Sequence, residues 1–209
     1  MRSVLPQGRS SDDGRGNVKI LSHKLCDDDG TPMDFQRSPN QSGVITLEFF
    51  VMHYTAGTSA KGSVEWLSNS AARASAHLVI GRDGEVVQLV AFNRKAWHAG
   101  RSEWDGRRGV NGFSMGIELN NAGGLEGSED RWSSCQGVGI DDAEVTVRTH
   151  AFDGVIRGWH KYSREQQHGS PVCSSASTDC VMWSVTRISL RAASPTPDPR
   201  SPWPRFVRP

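Results

Sequence analysis

Apolar and polar positions along the chain fall into short dense runs set apart by turn-forming stretches, a pattern that predicts strands joined by turns and short helices. The densest run covers residues 46–54; its β-branched and aromatic side chains predict a strand that ends by presenting His53 close to Gly57. Residues 76–81 and 85–90 are apolar runs on either side of Arg82-Asp83-Gly84, and Asp-Gly in that setting predicts a hairpin of two paired strands. Residues 114–120 alternate small or polar with apolar side chains and predict a further strand. Residues 63–69 predict a short helix with Trp66 and Leu67 turned inward, and residues 141–149 predict a short helix or a connecting segment. Ser163 with Gln166 three positions on has capping-box spacing, so a helix starts there. Gly169-Ser170-Pro171 then breaks it within two turns, and the serine-rich stretch that follows offers no apolar face.

The ends differ from the middle. Residues 1–17 are rich in Arg, Ser, Asp and Gly without periodicity, and six of the ten prolines crowd into residues 195–209 among interleaved arginines. Neither composition supports a packed core. The chain therefore divides into a disordered lead-in (1–17), a single domain (18–167) and an aberrant, disordered tail (168–209). With 209 residues and 36% hydrophobic content, one core of ordinary size is expected. The fold class is α/β: a mixed central β-sheet flanked by helices.

Charge and cysteine content remove several partners. The 24 basic and 23 acidic residues leave a net charge of +1, which gives no footprint for nucleic acid or an anionic membrane. No window reaches the 18 or so apolar residues of a membrane span, and the first residues lack a secretory pattern, so a cytoplasmic monomer with four reduced cysteines is expected.

Candidate chemistry sits at the strand ends. His53, polar at the end of an otherwise buried strand, has the placement of a metal ligand, and a hydrolytic zinc would need further ligands elsewhere. His77 opens an apolar strand and reads as structural. His98, between Trp97 and small residues, suits a groove wall that receives a ligand. Glu118 lies between Ile117 and Leu119 and so points to the opposite face from them. There it is either an exposed strand carboxylate or a general base beside an activated water.

Four segments, H-Y-T-A-G (53–57), S-A-H-L-V-I-G-R-D-G-E (75–85), A-W-H-A-G (96–100) and S-M-G-I-E-L-N-N-A-G (114–123), in this order and spacing, resemble the type 2 N-acetylmuramoyl-L-alanine amidases. That family includes phage endolysins, cytosolic muropeptide amidases and peptidoglycan recognition proteins. The segment Gly158-Trp159-His160-Lys161-Tyr162, with Gln166-Gln167, resembles a prophage branch. The resemblance implies Zn2+ as cofactor, His53 as a metal ligand and Glu118 as the residue that assists the zinc-bound water. It implies Tyr54, Trp97, His98 and Asn120 at the substrate groove, and peptidoglycan or muropeptide fragments as partner. The implied reaction is hydrolysis of the amide between the lactyl group of N-acetylmuramic acid and L-alanine, with release to the cell wall through a holin-like route.

One part of the family pattern is missing. The family completes its site with a segment of the form G-H-x-D-I-x-P-G-R-K-x-D-P-G-P, which supplies a second histidine, a lysine and a third ligand, and the chain has none after Gln167. His150 and His160 remain as substitute ligands, although they stand at positions that resemble non-ligand residues in the prophage branch. The genetic code carries a trace of the loss. Met182-Trp183 is encoded ATG-TGG, so a frame starting at the third base of the methionine codon is forced to read GTG, valine. With permitted synonymous codons, the shifted frame across residues 181–202 can be read D-V-V-G-H-E-D-I-S-P-G-R-K-S-D-P-G-P-A-F-P. A frameshift in the gene or its sequencing, between about residues 167 and 181, accounts for both the broken helix and the Pro/Arg-rich tail. Two other readings remain beside the enzyme: a metal-free muropeptide-binding module and an inactive truncated product.

Overall fold

The computed structural model describes residues 18–150 and 153–168; the expected disordered lead-in and all of the tail beyond His168, with its frameshift trace, lie outside the described residues. In chain order the elements are β1 (Lys19–Leu21), β2 (Lys24–Cys26), β3 (Gln41–Val44), β4 (Phe49–Tyr54), α1 (Ala60–Leu67), β5 (Leu78–Ile80), β6 (Val86–Gln88) and β7 (Arg94–Ala96). There follow β8 (Glu103–Trp104), β9 (Arg107–Arg108), β10 (Ser114–Leu119), β11 (Gly124–Leu125), β12 (Trp132–Ser133), β13 (Gly139–Ile140), β14 (Val145–Thr149), β15 (Ile156–His160) and α2 (Arg164–His168).

The central sheet has the order β4-β10-β5-β6. β10 runs parallel to both β4 and β5, while β5 and β6 form the expected antiparallel hairpin, so the sheet is mixed. The hairpin turns where Gly84 takes φ +86° and the Asp83 carboxylate accepts from the Glu85 amide at 3.0 Å. A smaller sheet, β11-β15-β14, continues from the end of β10.

The two faces of the central sheet are packed differently. One carries Leu78, Ile80, Met115 and Ile117 against Leu25, Val86 and Phe92, with Val18, Met33 and Leu47 at its margin. The cover here is therefore the segment before β4. On the other face α1 lays Val64 and Leu67 against Val79, Leu89 and Val90. This helix begins at Ala60, three residues before the sequence expectation, because Ser59 caps it by accepting from the Gly62 amide at 3.1 Å. Leu67 is buried as expected, while Trp66 is only half buried.

Residues 141–149 correct the expectation of a helix or connector. Asp141 caps a single 3-10 turn (Asp142–Glu144), and Val145–Thr149 is a strand along the whole of β15. The β-branched residues Val145, Thr146 and Val147 favour that outcome once a pairing edge is present. The capping box is present: the Ser163 hydroxyl accepts from the Gln166 amide at 3.1 Å, and the Gln166 side chain accepts from the Ser163 amide at 3.2 Å. Gln166 then donates to the carbonyl of Asn120 at 2.9 Å, which fixes this last turn on the end of β10.

Candidate active site

Parallel pairing sets Glu118 directly opposite His53, and register partners in neighbouring strands share a face. Both side chains therefore leave the sheet together, on the face opposite the apolar core of Leu78, Ile80 and Ile117. Val51 and Gly116 form the row behind them. Glu118 is not an exposed strand carboxylate. Its Oε2 is shielded from solvent without a hydrogen-bond partner among the described residues, and burial pushes its carboxyl up to about 8.

Three imidazoles line this face. His53 meets His98 edge-on, with ring centroids 5.2 Å apart and Nε2 of His53 at 3.0 Å from Nδ1 of His98; His77 lies 6.1 Å from His98 on the other side. Burial lowers His53 and His77 to about 4 each, and it holds His98 well below its ordinary value with help from its two histidine neighbours. All three are neutral at pH 7, the form that binds metals. His77 is structural, as expected: its Nε2 donates to the Arg94 carbonyl at 2.9 Å and its Nδ1 accepts from the Gly116 amide at 3.0 Å. His98 lies over Gly116, where any Cβ would collide with its ring, and the Asn111 carboxamide accepts from the His98 and Ala99 amides at 3.1 and 2.7 Å.

The remaining sequence candidates are spread around this centre. Tyr54, next to His53 on β4, points to the opposite face, where its ring packs on Gly123. Trp97 is 36% exposed and its indole donates to the Ser42 hydroxyl at 3.1 Å. Asn120 is buried at the end of β10, and its amide donates to the Gly57 carbonyl at 3.3 Å. His160 is committed at both nitrogens: Nδ1 accepts from the Ala122 amide at 3.1 Å and Nε2 meets Glu144 at 3.2 Å. His150 stacks on Trp159 and pairs with Asp153 at 2.9 Å.

Asn111, Ser114 and Tyr162 were missed as site residues. Burial and the charge of Glu118 together push the Tyr162 phenol up, which places it on the Glu118 side. A capping box immediately after Tyr162 was the available signal that this segment docks.

Among the described residues no three metal-ligating side chains converge. The donors that are present still fit a cation. Ionised Glu118 has no compensating charge in its burial, and a cation beside it would restore its ordinary acidity. His53 adds a neutral imidazole on the same face.

Among known proteins, 1,6-anhydro-N-acetylmuramyl-L-alanine amidase AmpD of Escherichia coli K12 is 60% identical over 47 residues, 22% of this chain and 26% of that protein. N-acetylmuramoyl-L-alanine amidase A of Achromobacter lyticus is 29% identical over 102 residues, 48% of each. The crystal structure of AmpDH3 from Pseudomonas aeruginosa is 33% identical with a TM-score of 0.34, covering 44% of this chain and 39% of that one. The matches thus span from about a quarter to half the length of these curated relatives. The family model for N-acetylmuramoyl-L-alanine amidase matches residues 43–168, which takes in β4, β10 and every residue of the site above, and the chain belongs to that family.

Proposed function

We propose that this domain is built to hydrolyse the amide between N-acetylmuramic acid and L-alanine in peptidoglycan or its muropeptide fragments, with zinc as cofactor. The observation that carries the reading is the His53–Glu118 pair, set side by side on one face by the parallel register of β4 and β10. His53 would hold the metal from the chain as written, and the two further ligands belong to the segment encoded in the shifted frame. Bound zinc supplies a Lewis acid for the scissile carbonyl and brings the pKa of a coordinated water to about 7. Glu118 takes the proton of the attacking water and delivers it to the leaving amine nitrogen. Trp97, with its exposed ring, forms the wall against which the substrate lies.

The test is to restore the reading frame and assay release of the stem peptide from a purified muropeptide by mass spectrometry. The restored protein should cleave the lactyl–L-alanine amide, lose activity to a chelator and regain it with Zn2+, while the 209-residue chain should be at least about a hundredfold slower. A restored protein that binds zinc and leaves the amide intact would refute the reaction. A gene whose shifted frame lacks the G-H-x-D-I segment would refute the source of the ligands. Muropeptide binding without turnover in both proteins would favour the binding module.

A further inference from the structure

The contact between His53 and His98 has a direction, and the residues behind His98 set it. The Ser114 hydroxyl lies 2.7 Å from the Val110 carbonyl, which only accepts, so its proton points there. At 3.2 Å from Nε2 of His98, the same oxygen is then left as an acceptor, and His98 must carry its proton on Nε2. Nδ1 of His98 is therefore a lone pair, and the one proton between the two rings belongs to Nε2 of His53.

We infer that His98 is a positioning residue: backed by Ser114 and seated by Asn111 and Gly116, it fixes the ring and tautomer of His53 so that Nδ1 of His53 is the nitrogen offered to a metal. This rests on the zinc reading for its purpose but not for its geometry. Metal-bound histidines commonly donate their second N–H to a carboxylate, a carbonyl or water. Here the acceptor is a neutral imidazole. His98 cannot tilt away, because the Asn111 carboxamide holds two consecutive amides of its loop and its ring occupies the space that a side chain at Gly116 would take. His53 and His98 are 45 positions apart in sequence, so the contact exists only in the folded sheet.

The experiment is a long-range 1H–15N correlation of the imidazoles in the full, metal-stripped chain. His53 and His98 should both appear as single Nε2–H tautomers. His53 protonated at Nδ1 overturns the inference outright. In His98→Leu, His53 should become a mixture of tautomers, and in His98→Gln, whose side-chain oxygen can accept the same proton, the single tautomer should return. An unchanged His53 in folded His98→Leu also overturns it. Zn2+ added to the frame-restored protein should then move the Nδ1 resonance of His53 and leave Nε2–H in place. If zinc moves nothing there, the zinc reading fails, while the tautomer measurement on the chain as written still decides the role of His98.

Discussion

The two faces of the central sheet are put to different ends. On one face Leu78, Ile80, Met115 and Ile117 pack into one apolar cluster. On the other, Glu118, His53 and the flanking His77 and His98 form a polar row in which most ring nitrogens are hydrogen-bonded and one carboxylate oxygen is not. The first face drives folding through burial. The second is divided: Val79 packs under Val64 and Leu67 of α1, while the polar row beside it contributes little net stability, because each hydrogen bond replaces one to water, yet each is costly to break. Chemistry is thus confined to one strip of the second face, beside the part that α1 covers.

The sharpest way to test that separation is Glu118→Gln in the frame-restored protein. Amide cleavage should fall by about a thousandfold, within the range for loss of a general base, with no loss of thermal stability. A variant that loses both would show that the polar face also holds the fold. Next in size, Leu78→Ala on the apolar face should cost about 3 kcal/mol in a denaturant melt. His77→Phe keeps the bulk but leaves the Gly116 amide and the Arg94 carbonyl without their partner, and should cost about 1–3 kcal/mol.

The pH dependence of the metal-stripped protein compares the two kinds of titrating group on the polar face. His53 and His77 fall from 6.5 to about 4 on folding, so the unfolded chain binds more protons between those values and stability should rise with pH up to about 6.5. Glu118 goes the other way. Its carboxyl rises from 4.5 to about 8, so the folded chain keeps a proton that the unfolded chain has released. Its contribution is complete below about 4.5 and is lost as pH climbs through 8. Below 6.5 the histidines outnumber it, so melting temperature should peak between about 6.5 and 7 and then decline. Glu118→Gln should flatten the alkaline decline and steepen the acid limb between about 4.5 and 6.5, where Glu118 no longer opposes the histidines. The smallest effect belongs to the periphery: Glu144→Gln weakens the exposed bridge to Arg82 and should cost less than about 1 kcal/mol by the same melts.

What could be read from the sequence was local. The 85–90 run with its Asp-Gly turn, the ends of β4 and β10, and the Ser163 capping box all carry signals within a few residues, and all appear in the fold. Residues 141–149 misled because an aspartate that caps one 3-10 turn looks the same as one that starts a helix. The start of α1 was misplaced for a related reason, since Ser59 and Ser63 are equally good caps in isolation. Glu118 could not be assigned between surface and site until the register with His53 was known. The resemblance supplied His53 and Glu118 as a pair, but Ser114 and Asn111 act through contacts made after the chain has crossed the sheet.

The position of β10 also governs the order of assembly. It lies between β4 and β5 although it is synthesised after both. The hairpin of β5 and β6 needs only its own turn and closes early, whereas β10 must close a loop of roughly sixty residues to reach β4, at an entropic cost of about 3–4 kcal/mol. Until then the Phe49–Tyr54 strand stands with both edges open and an aromatic, uncharged face, an aggregation-prone segment until β10 arrives.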